Sequence, residues 1–353
     1  MIANASTTKG APPAVSVIVP CRNERDTLPR CLQSMLEQEP PDGGFEVIVA
    51  DGMSDDGTRN VLSQLAADSA LITVVDNPGR FVSSGLNHAI RAARGDIIIR
   101  ADAHTEYAPD YLRQCVAVLE STGADNVGGP WIAESQGYVG TAIAAVFHSR
   151  FGSGGALAHD RRYEGPVDTV YLGCWRRQTL EHVGGFDEEL VRNQDDELNL
   201  RLTRAGKTIW QSPRIRSRYH PRQSLRRLFG QYMQYGYWKV RVIQKHRLPA
   251  SWRHLVPALF VLTMLALLAA SVVSHTAVVV AALVGALYAA CTAAASVVVA
   301  ARVGFRLLPI LPLVFVCYHI GYGVGFLLGL VDFVVRRRRF PPRMSTISRE
   351  PAR

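Results

Sequence analysis

Residues 45–58 read FEVIVADGMSDDGT. The opening FEVIVA is short, apolar and rich in branched side chains, the composition of a strand buried on both faces. Asp51-Gly52 breaks the run, a polar loop follows, and an amphipathic stretch opens at Thr58. The same unit recurs on either side. VSVIV (15–19), LITVV (71–75) and GDIIIRA (95–101) are runs of the same kind, and helix-length amphipathic stretches lie near 27–38, 58–68, 82–93 and 110–120. Asp26 or Thr27 suits the N-cap of the first helix, with Pro29 in its opening turn; Thr58 and Ser83 suit the next two. Strand, helix, strand in repetition predicts an α/β domain with a mainly parallel sheet covered by helices.

Composition divides the 353-residue chain. Residues 198–331 hold no Asp or Glu, while the formal charge of +9 gathers beside three apolar stretches at 255–274, 277–301 and 307–335. Each stretch reaches the roughly 20 residues that cross a bilayer as a helix. That excludes an all-soluble enzyme, a disordered chain and a coiled coil. Between the halves, RIRSRYHPRQSLRRLFGQYMQYGYWKVRVIQKHRLP (214–249) mixes Arg and Lys with Tyr, Trp and Leu, as a helix lying at a membrane surface does. The expected organisation is a disordered tail (1–14), an α/β domain (15–212), basic amphipathic interfacial helices (213–254), transmembrane helices (255–335) and a basic tail (336–353). Basic residues flanking spans account for the charge, so no nucleic-acid partner is expected. The cysteines at 21, 31, 115, 174, 291 and 317 form no Cys-x-x-Cys pair, and the N-terminus lacks the apolar run of a signal peptide, so residues 1–250 are expected in the cytosol. The third apolar stretch contains Pro309, Pro312, Gly321, Gly323, Gly325 and Gly329 and ends in Arg336–Arg339. It is expected to enter and return as a broken hairpin, leaving the C-terminus cytosolic.

In parallel open sheets, ligands bind beyond the carboxyl ends of the strands. Here those ends carry Pro20-Cys21-Arg22-Asn23-Glu24, then Asp51 through Thr58, then Asp102-Ala103-His104. Carboxylates at several strand ends suit ribose hydroxyls, a base edge or a metal.

These elements resemble the nucleotide-sugar-binding half of family 2 glycosyltransferases with the GT-A fold. YLGCWRRQTLEHVGGFDEELVRNQDDELNLRLTRAGKTIW (171–210) is similar to that family's acceptor half, and the resemblance covers about 15–245. It is strongest in Arg-Ala-Asp-Ala-His (100–104) and Gln-Asp-Asp-Glu (194–197), toward members acting in exopolysaccharide synthesis. The resemblance implies that Pro20, Arg22 and Glu24 border uracil and ribose, that Asp51 holds the base, and that Ser54 and Asp56 shape its loop. It brings Arg80 toward the diphosphate and sets Asp102 and His104 on the family's Asp-x-Asp, which binds ribose and a divalent metal. Histidine in the second place favours Mn²⁺ over Mg²⁺.

Anchoring on Arg201 aligns Asp195 with the family's catalytic base, crowded by Asp196 and Glu197; like charges raise a carboxylate's pKa, which suits a base. Asp195 and Asp196 also suit the opening of a helix, and the two roles are compatible. Gln194 and Trp175 are expected at the acceptor; Trp131, Trp175 and Trp210 are all candidates for stacking on sugars, with core packing expected for at least two of them. FGSGG (151–155) lacks the Lys of a phosphate-binding loop and reads as a mobile flap over the acceptor. Tyr232, Tyr235, Tyr237 and Trp238 suit a membrane interface, and Tyr318 and His319 suit packing between helices. Gln231-Tyr-Met-Gln-Tyr replaces the Gln-x-x-Arg-Trp of processive members, which implies single-sugar addition. The expected function is a membrane-anchored inverting enzyme moving a hexose, glucose foremost, from a UDP-sugar to a lipid-linked saccharide. The alternatives are transfer to polyprenyl phosphate itself, as dolichyl-phosphate-mannose synthases perform, and a non-catalytic membrane scaffold.

Overall fold

The computed structural model describes residues 12–221, 223–248, 251–338 and Met344. Two compact units share the chain: one holds the described residues of Met1–Ile132 and Asp160–Tyr219, the other those of Ala133–His159 and His220–Glu350. This division differs from the expected boundaries at two places. Residues 133–159 fold with the C-terminal helices, and 213–219 with the sheet, because Ser217–Tyr219 pairs as a strand with Thr105–Tyr107. The tails lie mostly outside the described residues.

Along the first unit run β1 (Val15–Cys21), α1 (Leu28–Leu36), β2 (Phe45–Asp51), α2 (Thr58–Asp68), β3 (Ile72–Asp76), α3 (Val82–Ala92), β4 (Ile97–Arg100), β5 (Thr105–Tyr107), α4 (Tyr111–Thr122) and β6 (Asn126–Gly129). Two helices, α5 (Gly137–Phe147) and the single turn α6 (Arg150–Ser153), interrupt it as part of the second unit. It resumes with β7 (Gly165–Pro166), β8 (Tyr171–Arg176), α7 (Arg177–Val183), α8 (Gln194–Arg204), β9 (Ile209–Gln211) and β10 (Ser217–Tyr219). Eight strands form one sheet in the order β3-β2-β1-β4-β8-β6-β9-β7. β3, β2, β1 and β4 are parallel neighbours, as the repeated unit predicts, while β8 runs antiparallel to both β4 and β6. The chain reverses its direction of travel across the sheet at β1, so the β1/β4 junction is the switch point where a crevice opens. β1 and β2 are buried along their whole length, which their unbroken apolar runs require.

The expected caps are only partly correct. Thr27 occupies the N-cap of α1 without a side-chain bond, and Pro29 lies in its first turn. The N-cap of α2 is Gly57, not Thr58, with a φ of 97° that only glycine adopts freely. Phe81 rather than Ser83 precedes α3. The Ser83 hydroxyl instead donates to the Leu190 carbonyl at 3.0 Å, tying α3 to the loop that leads into α8.

The second unit is helical, with α9 (Leu225–His246), α10 (Val256–Ala270), α11 (His275–Val303) and α12 (Leu311–Gly329), the last running on as a π-turn over Leu330–Val335. Trp252–Ala270, His275–Val303 and Leu311–Val335 are long and apolar enough to cross a membrane, and the chain associates with membrane through them. The third is continuous over 25 residues, about 37 Å at 1.5 Å per residue, so the expected hairpin is wrong. Pro312 sits in the first turn, where its missing N–H costs nothing. The glycines are contact points rather than hinges: a Cβ on Gly325 would strike the Met233 carbonyl, and one on Gly236 the Tyr322 carbonyl. Backbone approach of this closeness is what small residues permit between helices. Tyr237 and Trp238 are accordingly buried in this packing rather than set at an interface. The 151–155 segment is likewise not a free flap. Ser149 caps α6, Phe151 packs 5.3 Å from Phe315, and the Phe151 carbonyl meets His319 Nε2 at 2.9 Å. His319 also meets the Tyr288 hydroxyl at 3.2 Å, the interhelical packing its sequence position suggests.

Candidate active site

The ends of β1 and β2 are locked together. Asp51, fully buried, accepts from the Ser54 hydroxyl at 2.5 Å and backbone N–H at 3.2 Å, and faces Arg59 at 3.3 Å. Asn23 N–H donates to Ser54 Oγ at 2.9 Å, and the Asn23 side chain exchanges two bonds with Asp55. Asp56 accepts from Thr58 N–H at 2.9 Å and from Arg25 N–H at 3.3 Å. Burial works to raise the Asp56 pKa, but the Thr58 hydroxyl and these backbone donors prevail and hold it below the usual carboxylate range. Asn23 and Met53 adopt left-handed φ of 55° and 56° in these turns, a strain that persists where surrounding bonds over-determine the backbone. Beside them Arg22 buries its Nε and Nη1 with no hydrogen-bond partner among the described residues, and a Cβ on Gly52 would come within 3.0 Å of the Arg22 side chain. Buried donors left without an acceptor are costly.

At the end of β4 stands Arg100, 4% exposed in its side chain. It bonds Asp102 Oδ1 through Nη2 at 3.0 Å and Asp195 Oδ1 through Nη1. Burial opposes ionisation of Asp102, yet Arg100, then His104 and Arg192, outweigh it and keep that carboxyl below the ordinary range. His104 Nδ1 lies 3.8 Å from Glu24 Oε1. Around His104 gathers an aromatic group: Tyr219 at 5.6 Å between ring centroids, with Trp131 stacked on Tyr171 at 5.1 Å and edge-on to Tyr219 at 5.7 Å. Leu172, at a φ of 66°, and a register shift between β6 and β8 turn this corner of the sheet.

Asp195 comes from the first turn of α8, opened by Asn193 at a φ of 62°. Arg201 fixes the helix. It grips Glu197, itself fully buried, at 2.7 Å and donates to the carbonyls of Val183 and Gly185. The Gly-Gly-Phe-Asp turn is held in turn by Asn87 of α3, whose side chain bonds Phe186 N–H at 2.9 Å and Phe186 O at 2.8 Å. So pinned, Asp195 meets Arg100 while its side chain stays 38% exposed. Desolvation in this crowded pocket raises its pKa; Arg100 opposes, and Asp102 and Asp196 add to the rise, leaving it at about 6. The arrangement supplies a carboxyl held toward its ionised form at Asp102 and a second carboxyl poised near neutrality at Asp195.

The glycosyl transferase family 2 model matches residues 16–179. The succinoglycan biosynthesis protein ExoA of Rhizobium meliloti (strain 1021) is 31% identical over 243 residues, 68% of this chain and 73% of that protein. The chain belongs to glycosyl transferase family 2. A second relative in Methanococcus voltae, dolichyl N-acetyl-alpha-D-glucosaminyl phosphate 3-beta-D-2,3-diacetamido-2,3-dideoxy-beta-D-glucuronosyltransferase, is 27% identical over 246 residues, 67% of this chain and 76% of that one. Among solved structures, the mannosyltransferase PcManGT from Pyrobaculum calidifontis, in complex with GDP-Man and Mn²⁺, superposes with a TM-score of 0.59 at 20% identity, covering 89% of this chain and 88% of that one. The fold is thus GT-A and the protein a glycosyltransferase, as the strand-end motifs imply.

Within this family 2 domain, Arg22, Glu24, Asp51, Ser54, Asp56, Asp102, His104 and Asp195 stand at the strand ends and the start of α8 where the sequence places them. Pro20 is inside β1, in register with Ala50. Arg80 is exposed in the β3–α3 loop. Asp196 is half-buried, and Gln194 is buried with its side-chain oxygen unpartnered among the described residues. Trp175 is misassigned: 1% exposed, it packs in the core against Phe186 and cannot reach an acceptor. Half-buried Trp131 is the tryptophan beside His104. Sequence reasoning missed Arg100, Asn23 and Arg192. Arg100 had a signal, an arginine closing a buried apolar strand two residues before Asp102, since a charge there must be paired.

Proposed function

We propose that this family 2 glycosyltransferase moves a hexose, glucose foremost, from a UDP-sugar to a lipid-linked saccharide, inverting the anomeric centre. The observation that carries the reading is Arg100 gathering Asp102 and Asp195 from distant parts of the sequence into one cleft. Asp51 and Arg22, through its buried Nε and Nη1, bind the nucleotide, and Asp56 keeps their loop in shape. Asp195 accepts the proton of the acceptor hydroxyl as its oxygen attacks the anomeric carbon from the face opposite the leaving diphosphate. One displacement inverts the centre, so an α-linked donor gives a β-linkage. Trp131 offers a face on which a sugar ring stacks, the role first given to Trp175.

A divalent metal fits in a limited way. Asp102 and His104 supply one carboxylate and one imidazole, and among the described residues no cluster of three or more such side chains forms a cage. Asp102 and His104 would hold such an ion only together with the donor's diphosphate. Bound there, the metal supplies Lewis-acid stabilisation of the departing diphosphate. The PcManGT complex contains Mn²⁺, which supports the choice of ion, and imidazole ranks Mn²⁺ above Mg²⁺.

The Methanococcus voltae relative is by name an enzyme of a dolichyl-linked sugar phosphate, and the three apolar helices of this chain suit such a lipid-linked substrate. The spans are assigned to the cytoplasmic membrane with the sheet unit on the cytosolic side, where nucleotide-sugars are made. The test incubates purified protein with a panel of UDP- and GDP-sugars plus lipid extract and follows label into the organic phase. Lipid labelling from UDP-glucose is expected. Labelling from a GDP-sugar alone would overturn the donor, and label confined to water would overturn the acceptor class.

A further inference from the structure

The Asp102 carboxyl is only as well placed as the peptide that carries it. Asp102-Ala103-His104 joins β4 to β5, and Thr105 N–H closes the turn on the Asp102 carbonyl at 3.1 Å. Two buried side chains hold the same peptide. Tyr107 Oη, from β5, accepts from Asp102 N–H at 2.6 Å and donates to the Asp102 carbonyl at 3.4 Å. Cys31 Sγ, from α1, donates to that carbonyl at 3.3 Å. The phenol is itself fixed. Its ring meets Tyr111 edge-on at 4.7 Å between centroids, and its backbone pairs with Ser217 of β10. Thr105, on the same face of β5, bonds the Tyr171 hydroxyl at 2.6 Å. An arginine commonly engages a carboxylate as a fork, one donor on each oxygen. Arg100 does not: its Nε at 3.3 Å and its Nη2 at 3.0 Å both meet Asp102 Oδ1. Among the described residues Oδ2 makes no hydrogen bond.

We propose that Tyr107, seconded by Cys31, is a positioning residue that pins the Asp102 peptide so that Oδ2 stays out of the Arg100 fork and open to the donor's ion. The inference rests on the reading that Asp102 meets that ion together with the diphosphate. A phenylalanine would fill the same space beside Tyr111, and a buried hydroxyl is costly unless it is bonded. Among the described residues the Tyr107 hydroxyl bonds Asp102 and nothing else, so its chemistry serves that peptide. Arg100 also reaches Asp195, and an Asp102 free to swing would follow the guanidinium with both oxygens. Groups that hold a ligating side chain in place govern metal affinity nearly as strongly as the ligands do.

The test follows Mn²⁺ binding by electron paramagnetic resonance in full-length wild type and Tyr107→Phe, with UDP and without acceptor. Thermal unfolding and the Mn²⁺ needed for half-maximal transfer are measured beside it. Tyr107→Phe keeps the ring and is expected to bind Mn²⁺ about tenfold more weakly, and to regain lost rate as Mn²⁺ is raised. A hydroxyl that serves the fold alone would lower the unfolding midpoint and leave both Mn²⁺ readings unchanged, which would overturn the proposal. Should Tyr107→Phe not fold, Cys31→Ala removes the other side-chain bond to the Asp102 carbonyl. A thiol is a weak donor, so Mn²⁺ binding is expected to weaken about twofold or more; unchanged binding would again overturn the proposal. The two readings fail separately. Wild type that binds no Mn²⁺ with UDP removes the ion from Asp102 and this proposal with it. Wild-type binding that both variants leave intact overturns the positioning role and lets the metal reading stand.

Discussion

The loop after β2 and the first turn of α8 each carry a carboxylate into the sheet unit, and they hold it in opposite ways. Asp51 has no exposed surface and spends its oxygens on Ser54 and Arg59. Asp195 keeps 38% of its side chain open, shares Arg100 with Asp102 and sits next to Asp196. The first is finished by its own loop and is built to stay still. The second is left under-satisfied and its pKa climbs to about 6, where a base can both accept a proton and give it up. A group that binds is best pre-organised; a group that must change its protonation needs its two forms nearly balanced. Beside the Asp51 loop, Arg22 Nε and Nη1 are buried and make no hydrogen bond among the described residues.

The contrast breaks most visibly at Asp195. Replacing it by Asn is expected to lower kcat by about 10³-fold, within the range for losing a positioned general base, while nucleotide-sugar affinity stays within about twofold. Stopped-assay rates paired with calorimetric binding of the donor separate the two; transfer near the wild-type rate would move the base to Asp196. Asp51→Asn should show the converse. Donor affinity falls about tenfold or more, as for loss of a hydrogen bond to a charged group, and kcat at saturation changes less. Chelation should abolish transfer, with Mn²⁺ restoring it better than Mg²⁺ by a few-fold, and His104→Asp should narrow that gap; full activity in a chelator would remove the metal from the site. Smallest is Trp131→Ala. A lost stacking partner is worth about 0.5–1.5 kcal/mol, a rise of about 2- to 10-fold in acceptor KM, while Trp175→Ala acts on stability through the core instead.

Legibility followed the same division. Where one residue's chemistry and its place at a strand end coincide, as with Asp51, Asp102 and His104, its position in the fold was legible in the sequence. The parallel half of the sheet was also plain, because unbroken apolar runs such as FEVIVA suit only a strand covered on both faces. What eluded the reading depends on contacts between residues far apart. Trp175 and Trp131 are chemically alike, and only the antiparallel pairing of β8 with β4 and β6 turns the first inward. Arg100 gains its meaning from Asp195, 95 residues away. In the helical unit, glycines in α12 suggested breaks because helix propensity penalises them; Gly321, Gly325 and Gly329 are instead where the α12 and α9 backbones meet, and Gly323 is where α12 meets the start of α10. Periodicity reports which face is apolar and says nothing of what lies against it.

The most direct test is the pH dependence of kcat/KM for the wild type and for Arg100→Gln. Asp195 must be ionised to act, so the rate should fall on the acid side through an apparent pKa of about 6, a value that belongs to the coupled pair with Asp102. Arg100 favours the ionised form, so its removal should shift that limb to higher pH, while Arg100→Lys should keep it nearer wild type. An acid limb near the ordinary carboxylate range, or one that stays in place when Arg100 is replaced, would contradict the assignment of Asp195 as a base poised by its neighbours.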